Sequence, residues 1–131
     1  MADAQPAQLS PAFARTPEPP YVAVIFSSRR TDGDQGYGET AASIAEKLVQ
    51  QPGFLGCESA RDAGGFGITV SYWSSLQAVA DWKADTDHRA AQAQGRQLWY
   101  AEYQIRITTV ERAYAWTALP TATSGMPTPR G

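Results

Sequence analysis

The side chains best suited to chemistry lie between Phe66 and Trp99, a stretch that contains the only histidine of the chain, His88. An imidazole ionises near neutral pH, so an inward-facing His88 is a candidate general base that takes a proton from a phenol or an enol. The alternative is a structural histidine that bonds a backbone carbonyl or a neighbouring aspartate. The sequence leaves both interpretations open.

Aromatic side chains and hydrogen-bond donors around this stretch predict the walls of a pocket for a planar ligand. The candidate substrate-binding residues are Trp82, Tyr72, Trp73, Phe26, Ser27 and Arg29. The aromatic rings would stack on a flat ligand, and Ser27 and Arg29 would donate hydrogen bonds to a quinone or enolate oxygen. Each has an ordinary alternative, because large aromatic residues commonly serve the core and loop arginines are usually solvated.

Metal and cofactor sites are not expected. The chain has one cysteine, Cys57, and one histidine far from it, which does not match the cysteine and histidine ligands of a structural zinc site. Asp85 and Asp87 are better interpreted as helix caps than as a catalytic pair. The sequence contains no flavin or nicotinamide fingerprint, so the predicted chemistry uses no cofactor.

Composition excludes several classes of partner. The 131 residues carry a net charge of −2 and no basic stripe, so nucleic acid is not an expected partner. No apolar run has the length of a membrane span, and the N-terminus lacks the pattern of a secretory signal, so no membrane contact is expected. A single cysteine cannot form an internal disulfide, which favours a cytoplasmic location.

The pattern of apolar residues predicts the elements that would position these side chains. Alternation in Phe66–Trp73 is typical of a strand, and the stripe of Ala41, Ile44, Ala45, Leu48 and Val49 is typical of an amphipathic helix. The predicted strands are Tyr21–Ser28, Phe54–Arg61, Phe66–Trp73 and Tyr103–Tyr114. A helix follows the first strand as far as Gln51, and a second helical region, capped by Ser74 or Ser75, is interrupted at Ala84–Asp87.

The predicted order β-α-β-β-α-β indicates an α+β protein with a ferredoxin-like fold and a four-stranded antiparallel sheet. The domain would span residues 21–116, between a flexible N-terminal arm at 1–20 and a flexible C-terminal tail at 117–131, both rich in proline. Helices would cover one face of the sheet. The other face would expose apolar residues, so we expect a homodimer that packs sheet against sheet.

The chain resembles the antibiotic biosynthesis monooxygenase family of dimeric α+β barrels. The resemblance rests on this element order, on Pro52-Gly53-Phe54 before the second strand, and on VSYWSS followed by DWK and His88. It spans Tyr21 to Tyr114 and omits both arms. It implies a dimeric barrel, and the family includes cofactor-free oxygenases of polycyclic quinols, quinol oxygenases, haem-degrading enzymes and members without known function.

Haem degradation is not expected. The haem-degrading branch uses a tryptophan on the second helix, which Trp82 matches, together with a strand-one asparagine and a histidine ligand. Gln92 stands at the position that resembles the iron ligand, and Phe26 and Ser27 stand where the asparagine would be.

Two functions from different classes therefore remain. The first is a cofactor-independent monooxygenase that acts on a small aromatic or quinol-type substrate, with His88 as its base. The second is a non-catalytic dimeric barrel that binds a small aromatic ligand within the same walls and needs no base.

Overall fold

The computed structural model describes residues 12–119, apart from the side chains of residues 86–88. Its elements follow the predicted order. The strands are β1 (Tyr21–Arg30), β2 (Phe54–Arg61), β3 (Phe66–Trp73) and β4 (Tyr100–Val110). The helices are α1 (Tyr37–Leu48), α2 (Leu76–Ala84) and α3 (Thr86–Gln94), and a π-helical turn (Gly95–Trp99) joins α3 to β4.

The four strands form one antiparallel sheet in the order β2-β3-β1-β4. Both β1 and β3 are central strands, as expected of the two most apolar strands in the sequence. The sheet, its order and the helices between the strands confirm the predicted α+β, ferredoxin-like fold.

Strand alternation divides the side chains between two faces, which we call the helix side and the open side. Val22 of β1 pairs with Trp73 of β3 on the helix side, whereas Ala23 pairs with Tyr72 on the open side. The other residues of β1 and β3 follow the same alternation. The register therefore assigns a face of the sheet to each candidate site residue that lies on a strand.

The hydrophobic core lies on the helix side, near the start of β1. Val22, Trp73 and Trp82 are its buried centre. The partly buried residues that pack around them are Val24, Ile44, Leu48, Phe54, Ala78 and Val79. The stripe predicted for α1 is therefore correct at Ile44 and Leu48, whereas Ala41, Ala45 and Val49 are exposed.

The turns around this core use the residues that the sequence indicated. Ser75 caps α2, because its side chain accepts a hydrogen bond from the backbone N–H of Ala78 at 3.1 Å. Gly53 has φ +86°, and a β-carbon there would lie 2.6 Å from that of Ala78. Glycine is thus required both by the backbone conformation and by the closeness of α2.

The last strand differs from its predicted bounds, Tyr103–Tyr114. It begins at Tyr100 and ends at Val110, which pairs with Tyr21. The residue before Tyr21 is Pro20, which has no N–H to donate, so the ladder cannot continue along β1. Residues 111–119 leave the sheet without regular structure.

Part of the predicted N-terminal arm contacts the sheet. Residues 12–20 approach the open side, where Thr16 donates a hydrogen bond to the Tyr21 hydroxyl at 2.9 Å. Residues 1–11 of the arm and residues 120–131 of the predicted tail lie outside the described part. Within residues 12–119, none of the helices has both the length and the apolarity needed to cross a membrane.

Candidate functional site

The predicted site residues are divided between the two faces of the sheet. Phe26, Trp73 and Trp82 lie on the helix side, and Ser27, Arg29 and Tyr72 lie on the open side. A strand places neighbouring residues on opposite faces, so Tyr72 and Trp73 cannot line one cavity within a single chain.

Trp73 and Trp82 are core residues. Their rings stack with centroids 6.5 Å apart, and the two side chains are only 1% and 8% exposed. The indole N–H of Trp73 donates to the Ser71 hydroxyl at 2.9 Å, so its polar group is satisfied inside the core. The pair holds α2 against the sheet and leaves little surface for a ligand.

Tyr72 fastens the N-terminal arm to the open side. Its hydroxyl donates to Glu58 Oε1 at 2.7 Å, and the backbone N–H of Ala14 donates to Glu58 Oε2 at 3.0 Å. Burial, followed by the hydrogen bond and negative charge of Glu58, raises the pKa of Tyr72. Tyr72 therefore remains protonated and acts here as a hydrogen-bond donor to a carboxylate.

Ser27 and Arg29 also belong to the open side. Arg29 pairs with Glu102 at 3.3 Å on exposed surface, and its guanidinium lies 5.8 Å from the ring centre of Phe66. Ser27 is half-buried beside Ile68 on the neighbouring strand. Within one chain, neither side chain faces the helix layer.

His88 lies in α3, and its side chain is outside the described residues. The helical break that was predicted before it is present. Helix α2 ends at Ala84, Asp85 has extended backbone angles, and α3 begins at Thr86. The chain therefore changes direction between Trp82 and His88, as the sequence indicated.

Apolar residues on the helix side of β1 and β4 remain open to water. Ile105 and Ile107 pair with Phe26 and Val24 on the face that the helices cover, yet they are 40% and 50% exposed. Apolar residues that are on this face and remain so open indicate that the helices leave this part of the sheet uncovered. We call this uncovered surface the helix-side cleft, with Val24, Phe26, Tyr103, Ile105 and Ile107 as its floor.

A cluster of aromatic rings closes one end of the helix-side cleft. Phe26 contacts Tyr100 and Tyr103, with ring centroids 5.4 Å apart in both pairs. Tyr100 in turn contacts Tyr37, at the start of α1, with centroids 6.0 Å apart. The Phe26–Tyr100 and Tyr37–Tyr100 contacts are edge-to-face and the Phe26–Tyr103 contact is tilted. Such contacts hold rings in fixed orientations, which is the property that a planar ligand requires of its pocket.

Tyr100 and Tyr37 were not predicted from the sequence as residues of the site. Residues three apart in a regular strand face opposite sides, so alternation places Tyr100 and Tyr103 on different faces. The register instead shifts between Arg29, opposite Glu102, and Arg30, opposite Tyr100. This irregularity brings both tyrosines to the helix side. Their spacing in WYAEY was the only available signal, and it does not reveal a bulge.

Two arginines lie at the aromatic end of the helix-side cleft. Arg61 donates to the Ser28 hydroxyl at 2.9 Å, and Ser28 is 2% exposed. Arg30 stacks on the ring of Tyr37 at 3.7 Å and donates to the backbone oxygen of Trp99 at 3.0 Å. We call Ser28, Arg30, Tyr37, Arg61 and Tyr100 the arginine end of the cleft.

Burial raises the pKa of Tyr100, and a hydrogen bond with Tyr37 raises it further. The positive charges of Arg61 and Arg30 act in the opposite direction and only partly offset these effects. Tyr100 is therefore neutral at physiological pH and unsuited to act as a base, and its hydroxyl would donate to a ligand oxygen in place of Tyr37.

The outer surface of α3 and the π-helical turn forms an open recess of about 490 Å³. It is lined by Arg89, Ala90, Gln92, Ala93 and Arg96. Arg96 donates to the Tyr103 hydroxyl at 3.2 Å and so links this recess to the cleft. Among the residues whose side chains are described, no group of three or more His, Cys, Asp or Glu is placed to hold a metal ion.

Comparison with known proteins gives a family match and a fold match. A family profile described as antibiotic biosynthesis monooxygenase matches residues 20–94. The uncharacterized protein YqjZ of Bacillus subtilis is 52% identical over 100 residues, which cover 76% of this chain and 88% of YqjZ. This similarity includes most of the domain that carries the cleft.

Solved structures with lower identity share the fold. SnoaB, a cofactor-independent oxygenase from Streptomyces nogalater, superimposes with a TM-score of 0.62 at 14% identity, covering 72% of this chain and 97% of SnoaB. Protein SO0527 from Shewanella oneidensis gives a TM-score of 0.63 at 11% identity, covering 72% and 94% of the respective chains. At these identities the likeness establishes the fold and leaves the chemistry to the residues of this chain.

Proposed function

Because the chain belongs to the antibiotic biosynthesis monooxygenase family, we propose that it is a cofactor-independent monooxygenase of a small aromatic or quinol-type substrate. The observation that carries this proposal is the helix-side cleft, whose half-exposed apolar floor ends in a cluster of fixed aromatic rings. Such a surface suits a flat, electron-rich compound.

The proposed reaction needs a base and exclusion of water. His88 takes a proton from the substrate, and the resulting anion passes one electron to O₂. The radical pair recombines to form a carbon–oxygen bond, and the peroxide then loses water to leave a carbonyl group. One oxygen atom of O₂ enters the product and the other leaves as water, so oxidation of a CH₂ group to a carbonyl balances the reduction of O₂.

The cleft residues have distinct parts in this proposal. Phe26 and Tyr103 stack on the substrate, and Tyr100 donates a hydrogen bond to the oxygen on which negative charge develops. Trp73 and Trp82 support the floor from the core through Val24, which packs against them. Of the aromatic residues expected from the sequence to line the pocket, Phe26 would thus contact the substrate, whereas Trp73 and Trp82 would support the floor.

The remaining candidate residues have a different role in this proposal. They are Tyr72, Ser27 and Arg29. They lie on the open side, where we propose that a second copy of the chain docks. In such a dimer they would contact the partner or the N-terminal arm and would not enter the cleft of their own chain. A cytoplasmic location completes the proposal, since the single cysteine needs no oxidising compartment.

Oxygen consumption tests the activity. The purified protein is supplied with a panel of anthrones and naphthoquinols without added metal or flavin. We expect uptake above the uncatalysed rate, slower by about 10²- to 10⁴-fold in His88→Ala, which loses the base. Gln94→Ala, an exposed position on the same helix, is the matched control and should retain the wild-type rate. Wild-type turnover by His88→Ala would exclude His88 as the base.

A non-catalytic binder is the second candidate, and one observation favours it. The residues that define the helix-side cleft and its arginine end include rings and donors but no histidine or carboxylate. Such a set can hold a ligand without transforming it. Tight binding of the same compounds without oxygen uptake in any of them would favour this function over the oxygenase.

The proposed homodimer rests on the open side. Phe66 and Ile68 are 40% and 41% exposed there, next to the half-buried Ile25 and Val70. A second copy would remove this apolar strip from water. In sedimentation velocity, Ile68→Lys should shift the protein towards the monomer. Ile107→Lys, which alters a similarly exposed isoleucine on the helix side, should not. A wild-type protein that sediments as a monomer at high concentration contradicts the proposal.

A further inference from the structure

We propose that the arginine end of the helix-side cleft recognises an anionic oxygen, so that the ligand is an aromatic compound carrying a carboxylate or an ionised phenol or enol. This inference rests on the proposed function and deepens it by naming a substrate class. It concerns residues that the candidate mechanism leaves largely unused, above all Arg30 and Arg61.

The guanidinium of Arg61 is held in place by hydrogen bonds that use only some of its N–H donors. One terminal nitrogen donates to the backbone oxygens of Ser28 and Gly65 at 3.3 and 2.6 Å, and the other donates to the Ser28 hydroxyl. A guanidinium group has five N–H donors. Among the described residues, the Nε hydrogen and one Nη2 hydrogen of Arg61 therefore have no acceptor.

The guanidinium of Arg61 can lie in this position because residue 67 is a glycine and has no side chain. A β-carbon on Gly67 would lie 2.8 Å from Cζ of Arg61, so the guanidinium occupies the space that any other residue would fill. Gly67 pairs with Ser28 on the helix side. The side chain of Arg61 thus crosses from the edge strand β2 over β3 to β1, and its charge lies on the helix side of the sheet, where the cleft is.

Arg30 brings a second positive charge to the same end. Its contacts are the ring of Tyr37 and the backbone oxygens of Trp99 and Gly33, the latter at 3.0 Å. In the described part of the chain, neither Arg30 nor Arg61 has a carboxylate partner. Two other cations do have one, since Arg29 pairs with Glu102 and Lys47 with Asp85, each at 3.3 Å.

Two uncompensated charges beside partly buried aromatic groups favour an anion at that place. A guanidinium presents its donors in a plane that matches carboxylate geometry, and its attraction for an anion strengthens as water is excluded. The hydroxyl of Tyr100 lies within the field of both arginines, because both lower its pKa against the effect of burial. An anionic oxygen near this hydroxyl would meet one neutral and two charged donors.

The adjoining rings define the remainder of the ligand. Phe26 contacts Tyr100 and Tyr103, so the aromatic surface begins where the charged surface ends. Beyond them the floor is the apolar pair Ile105 and Ile107. A ligand that matches this sequence of surfaces is planar and apolar along its length and carries its negative charge at one end.

Binding of matched probes tests the proposal without requiring turnover. Calorimetric titrations under anaerobic conditions compare 2-naphthoate with methyl 2-naphthoate, which has the same rings and no charge. Wild-type protein should bind the acid at least about tenfold more tightly than the ester, as expected of hydrogen bonds to a charged group. Arg61→Gln and Arg30→Gln should each reduce this ratio several-fold, with little change in the affinity for the ester.

The control variants separate charge recognition from structural damage. Arg106→Gln removes an exposed arginine on the open side and should leave the ratio unchanged. Arg61→Lys keeps the charge and should restore most of the preference. If Arg61→Gln does not fold, Arg30→Gln provides the same comparison of charge, and Tyr100→Phe tests the neutral donor. A parallel titration with 2-naphthol, below and above the pH at which it ionises, tells whether an ionised phenol satisfies the site as a carboxylate does.

Three outcomes would overturn the proposal. They are the absence of 2-naphthoate binding to the wild-type protein, equal affinity for acid and ester, and a ratio that survives both arginine substitutions. None of them depends on oxygen consumption. Loss of the oxygenase function would therefore leave the anion-binding site standing and remove only the statement that its ligand is a substrate. Failure of the binding tests would leave the oxygen-uptake experiment to be judged separately.

Discussion

The helix side of the sheet contains two aromatic groups that are built from similar residues and packed to different degrees. At the start of β1, Trp73 and Trp82 stack within a core that excludes water. At the other end of the same strand, Phe26, Tyr100 and Tyr103 form a comparable ring cluster beside Ile105 and Ile107, which water still reaches.

The difference lies in which helices reach the sheet. Helices α1 and α2 supply Ile44, Leu48, Ala78 and Val79 to the core end. The cleft end is bounded chiefly by strand residues and by Tyr37 at the tip of α1. The core end therefore provides stability and a rigid frame, and the cleft end leaves part of its apolar surface for a ligand to bury.

The largest expected effect on stability comes from removing a buried side chain at the core end. Trp73→Ala should lower the free energy of unfolding by about 3–5 kcal/mol, since it removes a buried ring and leaves a cavity. Ile107→Ala, on the same side of the sheet, should cost about 1 kcal/mol or less because half of that side chain is already in water. Urea unfolding monitored by circular dichroism measures both. Equal losses of unfolding free energy in the two variants would contradict the distinction between a buried core end and an exposed cleft end.

Most of the strands and helices, and their order, were predicted from the sequence. Alternation in Phe66–Trp73 and the helical break at Ala84–Asp87 are local signals, and the structure confirms both. The helical stripe was correct at Ile44 and Leu48 for the same reason. Local patterns determine which elements form, and in this chain their order was sufficient to indicate the ferredoxin-like sheet.

The cleft could not be predicted in the same way, because its geometry depends on register and on contacts between distant residues. Tyr100 reaches the helix side through an irregularity opposite Arg29 and Arg30 that no local pattern shows. Arg61 meets Ser28 across 33 residues of chain. For His88, the sequence suggested a role as a base, which stays a prediction.

An intermediate effect is expected at Gly67, where the arginine end depends on the absence of a side chain. Gly67→Ala would place its β-carbon 2.8 Å from Cζ of Arg61 and 3.0 Å from the backbone oxygen of Ala60. Arg61 must then move and leave the buried Ser28 hydroxyl without its donor. We expect a loss of about 1–3 kcal/mol in unfolding free energy and a weaker preference for the naphthoate probe.

A double-mutant cycle identifies the cause of that loss. If Gly67→Ala acts through Arg61, its cost should be much smaller in the background of Arg61→Ala, because the displaced group is already missing. Costs that simply add would show that the strain lies in the backbone near Ala60. The arginine end would then not depend on Gly67.

The smallest expected effect concerns the protonation of Tyr100. Tyr100→Phe keeps the ring contacts with Phe26 and removes one hydroxyl, so the loss of stability near neutral pH should be about 1 kcal/mol. The effect of pH distinguishes this hydroxyl further. Burial raises the pKa of Tyr100 in the folded protein above its value in the unfolded chain. The unfolded chain therefore releases the proton first, and stability falls as the pH rises above the ordinary tyrosine value of about 10.

Tyr100→Phe should remove part of this alkaline loss of stability, and Tyr72→Phe, whose hydroxyl also has a raised pKa, should remove a separate part. Unfolding free energies measured from pH 8 to pH 11 test both variants. The two hydroxyls lie on opposite faces of the sheet and share no partner, so their contributions should add. If Tyr100→Phe loses stability with pH as steeply as the wild-type protein, the hydroxyl at the arginine end is not held in its neutral form by burial. Tyr100 would then no longer qualify as the neutral donor to a ligand oxygen.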